Sequence, residues 1–203
     1  FVSDDDPILP GALSRLVDVL ETDLHALAAY PDWFVTGTDG ELTEKMTVLE
    51  YSLVDMVRHH LCYPGPCTLI RRSAVERTGG WDSRWRWVAD YDFWLRMGLQ
   101  GPMVHVAAPL ATWRRHPAGA TLAAPRLALA REHVSVIEAF FSRSDLPPDV
   151  RAVESEAITS AWAIAFVVAM DGLETHGVPR FQIEDRLARY VGPMPIAGAR
   201  GSA

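Results

Sequence analysis

Apolar residues at Leu13, Leu16, Val17 and Leu20 recur at helical spacing behind a Pro7, Pro10, Gly11 turn signal, which predicts an amphipathic helix preceded by an acidic loop. Ahead of that loop, Phe1-Val2 running into Ser3-Asp4-Asp5-Asp6 reads as the end of a buried strand. Strands typically have ~5–6 residues, so further chain is expected upstream. Pro31 to Val35, followed by the turn cluster Thr36-Gly37-Thr38-Asp39-Gly40, predicts a strand and hairpin. Leu49, Leu53, Met56, Val57 and Leu61 form a stripe that predicts a second helix over Val48 to Leu61, broken by Tyr63-Pro64-Gly65-Pro66. Cys67 to Ile70 is strand-like, Ser73 to Arg77 a short helix stopped by Gly79-Gly80, and Asp90 to Met97 the next helix. Met103 to Trp113 is a run of short apolar stretches suited to strands. Past Pro125 the pattern changes to long, Ala-rich helices, Leu127 to Phe141 and Val150 to Met170, separated by Pro147-Pro148. The expected organisation is a mixed α/β part over 1–124, a helical extension over 125–190, and a flexible tail over 191–203 that is rich in Pro and Gly.

The 203 residues correspond to about one domain and a third at roughly 150 residues per domain, in keeping with that division. With 49% apolar and 22% charged residues the chain has the material for a core. A net charge of -7 argues against a protein that holds nucleic acid, or an anionic membrane, through a basic field. Cys62 and Cys67 are too few to staple a chain of this size or to build a cysteine zinc site, which points to a reducing, cytoplasmic compartment. The longest apolar run, Ala161 to Met170, is about half the ~20 residues of a spanning helix, and no basic-then-apolar leader opens the sequence. No transmembrane span is expected, and peripheral seating of the helical extension on a membrane is the alternative location.

Candidate chemistry concentrates in three places. Ser3-Asp4-Asp5-Asp6 sets consecutive carboxylates beside a buried strand, where a hard cation such as magnesium or manganese would offset their repulsion and substrate phosphates would complete its shell. The plainer alternative is a solvated turn in which Asp6 caps the following helix. Trp81, Trp85, Trp87, Trp94 and Trp113 place five of the seven tryptophans within a short stretch, a district of flat rings that can lie on the apolar faces of sugars. Trp81 and Trp85, beside Gly79 and Gly80, are the stronger candidates for a binding wall, whereas Trp94 reads as core. Asp90 stands at a helix start, where acids are commonly dipole partners; facing a cleft it could instead take a proton from a hydroxyl. Trp113-Arg114-Arg115-His116 followed by Gly119 and Thr121 is a basic loop suited to a diphosphate or a further metal ligand, or else a surface loop. Cys62 and Cys67 are spaced as a turn rather than a redox or zinc knuckle, and the adjacent His59 and His60 splay apart and are expected at the surface.

Taken in order, Ser-Asp-Asp-Asp, Pro-Gly-Ala-Leu, Gly-Pro-Cys-Thr-Leu-Ile-Arg-Arg, Gly-Gly-Trp-Asp, Asp-Tyr-Asp-Phe-Trp-Leu-Arg and Trp-Arg-Arg-His resemble family 2 glycosyltransferases of the GT-A fold over about residues 1 to 122. The resemblance implies the C-terminal part of a Rossmann-like GT-A domain with a mixed sheet, its nucleotide-binding half lying upstream, and a helical extension behind it. It further implies an inverting, metal-dependent transfer of a sugar from a nucleotide-diphospho-sugar donor to the hydroxyl of a saccharide or other acceptor. Residue by residue, Asp90 takes the place of the catalytic base. Asp5, with Asp4 and His116, takes the metal, and Ser3, Arg115 and His116 face the donor diphosphate. Gly80, Trp81, Asp82 and Trp85 face the acceptor. Ser3 and Ala89 depart from the acidic residues of the family pattern. These departures keep alive a rival reading as a degenerate binding or assembly module, with the C-terminal helices as a surface for homo-oligomer formation. A glycoside hydrolase using Asp5 and Asp90 is a further alternative. Weak or absent turnover is expected of residues 1–203 alone.

Overall fold

Gly11, in the left-handed region with φ 78, turns the chain into helix α1 (Ala12–Thr22), which buries Ala12, Leu16 and Leu20 and leaves Leu13 and Val17 outward. These coordinates are a computed structural model that describes residues 3–174; the expected tail at 191–203 and the end of the helical extension lie outside the described residues. Strand β1 (Ala28–Thr36) follows and is buried along nearly its whole length. Strand β2 (Leu42–Met46) returns antiparallel to it, with Trp33 opposite Met46 and Val35 opposite Glu44.

Helix α2 (Leu53–His59) begins later than the apolar stripe predicts. Two side chains of β1 take the preceding segment away: Asp32 Oδ1 accepts the Val48 N–H at 3.1 Å, and the Tyr30 hydroxyl donates to the Leu49 carbonyl at 2.8 Å. Ser52 then caps α2 by accepting the Asp55 N–H at 3.1 Å. Strand β3 (Leu69–Ile70) and helix α3 (Arg72–Thr78) come next, and α3 stops at Gly79, φ 84. Helix α4 (Ala89–Gly98) leads to β4 (Met103–Arg114), a single long strand where short ones were expected. Pro109 does not end β4 but shifts its register beside Asp32. Beyond it lie α5 (Ala120–Ala123), α6 (Arg126–Phe141), α7 (Pro148–Ala152) and α8 (Glu154–Glu174).

The sheet is mixed and the molecule is α/β. β1 is its centre: β4 runs parallel along one edge, while β2 and β3 pair antiparallel at opposite ends of the other. The segment before α1 runs antiparallel along β4, with Ile8 bridging Ala111, Leu9 N–H donating to the Leu110 carbonyl at 2.9 Å and Thr112 N–H donating to the Pro7 carbonyl at 3.0 Å. This pairing sets Ser3 to Asp6 beside the C-terminal end of β4.

The largest core cluster runs across position 124, combining Tyr30, Phe93 and Trp94 with Leu129, Ile137, Phe140 and Ala157. Small residues let α8 approach α6 closely around Ala130, Val134, Trp162, Ala165 and Ala169. Among the described residues no helix is long and apolar enough to cross a membrane.

Two polar clusters lie inside this frame. Asp32, 2% exposed, meets the His105 Nε2 at 2.9 Å, and Glu50 meets the other ring nitrogen at 3.0 Å. His60 is buried rather than at the surface as expected, because its left-handed backbone (φ 52) ends α2 and the ring lies between α2, α4 and α6. Its Nε2 is 2.9 Å from the His133 Nδ1, and its ring centroid is 4.6 Å from that of Tyr91. Burial pushes His60 down to about 3, with a smaller contribution from His133, and burial likewise pushes His133 down to about 4.

Candidate active site

A cleft of about 470 Å³ opens between the N-terminal acidic segment, the loop before β3 and the start of α4. Asp6 and Ser3 border it on one side and Asp90 on another, with Trp81, Trp94 and Trp113 among its walls. A smaller recess of about 200 Å³ adjoins it and is lined by Asp5, Arg114, Arg115 and His116. Ser3, Asp6 and Trp113 face both spaces, so they form the partition between them.

The acidic side of the partition is fixed by the end of β4. Asp6 Oδ1 accepts the Arg114 N–H at 2.8 Å, and His116 Nε2 lies 2.9 Å from Asp5 Oδ2. The Ser3 hydroxyl donates to the other Asp5 oxygen. Ser3 and then His116 hold the Asp5 carboxyl below its ordinary range, whereas burial pushes Asp6 up despite the Arg114 N–H. Neighbouring carboxylates are thereby driven in opposite directions by their surroundings. Arg115 lies over Trp113, 5.7 Å from the ring centroid, and lines the recess.

Asp90 occupies the first turn of α4, and one of its oxygens accepts the Tyr91 N–H at 2.8 Å. Its side chain opens on the cleft, yet the surrounding protein withdraws enough water to push the carboxyl above its ordinary value. The cleft floor depends on Gly65: a Cβ there would stand 2.7 Å from the Trp33 ring.

The structure gathers part of the set expected from sequence. Asp90, Ser3 and Trp81 face the cleft, and Ser3, Asp5, Arg115 and His116 face the recess. Asp4 is exposed and lines neither, while Asp6 occupies the inward position. Gly80, Asp82 and Trp85 do not line either space. The Gly80 carbonyl accepts from Arg96 at 2.7 Å, Asp82 pairs with Arg84 at 2.7 Å, and Trp85 packs against the main core. Trp94, read as core, is only 7% exposed but presents that surface to the cleft. Sequence reading missed Trp113 as a partition and Pro64 to Thr68 as a wall; the Pro-Gly-Pro signal marked a turn but not what the turn encloses.

Among the described residues no group of three or more His, Cys, Asp or Glu is gathered to hold a metal ion. The recess nonetheless combines the Asp5 carboxylate, the His116 imidazole and the neighbouring Asp6. Of these, the carboxylates are the donors that suit magnesium or manganese, which takes one or two of them while phosphates and water supply the rest, although Asp6 Oδ1 is engaged by the Arg114 N–H. Comparison with known proteins returns no matching family model and no matching curated protein.

Proposed function

We propose that the chain is part of a GT-A-type glycosyltransferase domain of the family 2 kind, moving a sugar from a nucleotide-diphospho-sugar to an acceptor hydroxyl with inversion. One arrangement carries this reading: Asp90 and the acidic segment border the same cleft, while the adjoining recess holds Arg114, Arg115 and His116. The two spaces divide the chemistry. An acceptor sugar in the cleft can lay an apolar face on Trp81, Trp94 or Trp113 and direct a hydroxyl toward Asp90. A carboxylate lifted above its ordinary value is the stronger base, and Asp90 takes the proton as the acceptor oxygen bonds to the anomeric carbon. The bond to the diphosphate breaks with its electron pair, and Arg115 and His116 face the charge that develops. Asp5 and His116 would hold the divalent ion. When bound, that ion supplies further neutralisation of the leaving diphosphate.

The test uses the full-length protein with manganese and a panel of nucleotide-sugars, following nucleoside-diphosphate release. Metal-dependent release lost in Asp90→Asn by on the order of 10³-fold, with donor binding retained, supports the transferase. Donor binding without turnover in the unsubstituted protein favours the binding module, in keeping with the direct Asp5–His116 contact and the outward Asp4. Glycoside cleavage without a nucleotide would sink both.

A further inference from the structure

We propose that Glu132, on the helical extension, is the positioning residue for Asp90. The Glu132 carboxylate accepts three successive backbone N–H groups just ahead of α4: Arg86 at 3.1 Å, Trp87 at 2.7 Å and Val88 at 3.2 Å. Consecutive N–H groups turned inward form a concavity suited to an anion, and here the anion is a side chain from 44 to 46 residues further along the chain. Val88, the residue that caps α4, has no side-chain cap of its own. The next residue of α6 provides a second grip, since His133 bonds His60 and the His60 ring lies on Tyr91. Tyr91 is fixed at its other end by its hydroxyl, which donates to the Met56 carbonyl at 2.9 Å.

Asp90 therefore sits between two clamped positions, Val88 on one side and Tyr91 on the other, and both clamps lead back to adjacent residues of α6. A general base must stand within hydrogen-bond reach of the proton it removes, so a shift of about 1 Å in the first turn of α4 would cost rate on the order of 10²-fold. Glu132 reaches the first turn of α4 through the backbone of 86–88 and lines neither the cleft nor the recess.

The inference rests on the proposed role of Asp90 and is tested so that the two can fail separately. Glu132→Ala and Glu132→Gln are made in the full-length protein. Amide exchange over 86–91 and the carboxyl NMR titration of Asp90 are measured alongside turnover of a nucleotide-sugar. In Glu132→Ala the amides of 86–88 should exchange at least 10-fold faster, and the Asp90 titration should move down toward the ordinary carboxylate value as water reaches it. kcat should fall on the order of 10²-fold with donor KM little changed. Glu132→Gln, which keeps one acceptor oxygen, should restore part of each loss and serves as the folded variant if Ala unfolds the chain. A folded variant with unchanged Asp90 titration and kcat within about 2-fold of the parent would overturn the inference. If the unsubstituted protein turns over no nucleotide-sugar, the transferase reading falls, while the exchange and titration arms still decide whether Glu132 sets the place of Asp90.

Discussion

Acidification should loosen the junction of α2, α4 and α6, and the His60–His133 pair sets how much. Both rings are held neutral by burial, His60 at about 3 and His133 at about 4, against the ordinary value of 6.5. The sign follows from proton uptake. A ring whose folded value is depressed binds fewer protons folded than unfolded between the two values, so its stabilising contribution is complete above about 6.5 and is lost as pH falls toward the folded value. At pH 5 each unfolded ring is almost fully protonated while its folded counterpart is not, a difference of about 2 kcal/mol per ring and about 4 kcal/mol for the pair. Near that pH the slope approaches two protons, or about 3 kcal/mol per pH unit. Against a total stability of roughly 5–15 kcal/mol this is a large fraction.

The charged neighbour that opposes the effect is Glu132, which favours a protonated His133. Urea unfolding at pH 7.5, 6.5, 5.5 and 5.0 measures the slope, and the His60→Asn/His133→Gln double variant isolates it. Carboxylates such as Asp5, Asp6 and Asp90 titrate in both proteins and cancel in the difference. Equal slopes for parent and double variant over this range would refute the reasoning.

Gly65→Ala should destabilise the protein by about 1–3 kcal/mol, read by urea unfolding, because the new methyl meets the Trp33 ring at 2.7 Å. The same variant should change tryptophan emission as the ring moves. Asp32→Ala should lose about 1–3 kcal/mol by thermal unfolding, since it leaves the Val48 N–H and a buried His105 nitrogen without their shared partner. Glu50→Gln, at the exposed end of the same imidazole, should cost less than about 1 kcal/mol.

The elements set by local periodicity were legible in the sequence. α1, the β1–β2 hairpin, α4 and α6 lie where the apolar spacing and the Gly and Pro signals place them, as does the stop of α3 at Gly79. Long-range hydrogen bonds account for most of what was not. α2 lost its first residues to Asp32 and Tyr30, which no window of local sequence contains. Val150 to Met170 reads as one helix, but the chain breaks at Val153, where ψ is 9, and forms α7 and α8. The spacing of His59 and His60 correctly separates their rings but says nothing of which one turns inward; the left-handed backbone at His60 decides that. In the site, Asp90 and the acidic segment stood out as types at element ends, whereas Asp6 over Asp4 depends on pairing with β4, and Glu132 depends on a helix packed from far along the chain.

The ladder that seats the acids on β4 also closes part of an edge of the sheet. Residues 7 to 9 already occupy the backbone groups of Leu110 and Thr112, so a neighbour cannot extend the sheet along that stretch. β2, the exposed strand of the hairpin, carries Glu44 and Lys45, charges of the kind that discourage edge-to-edge growth. Growth of the sheet by strand addition is thereby disfavoured along β2 and along this stretch of β4.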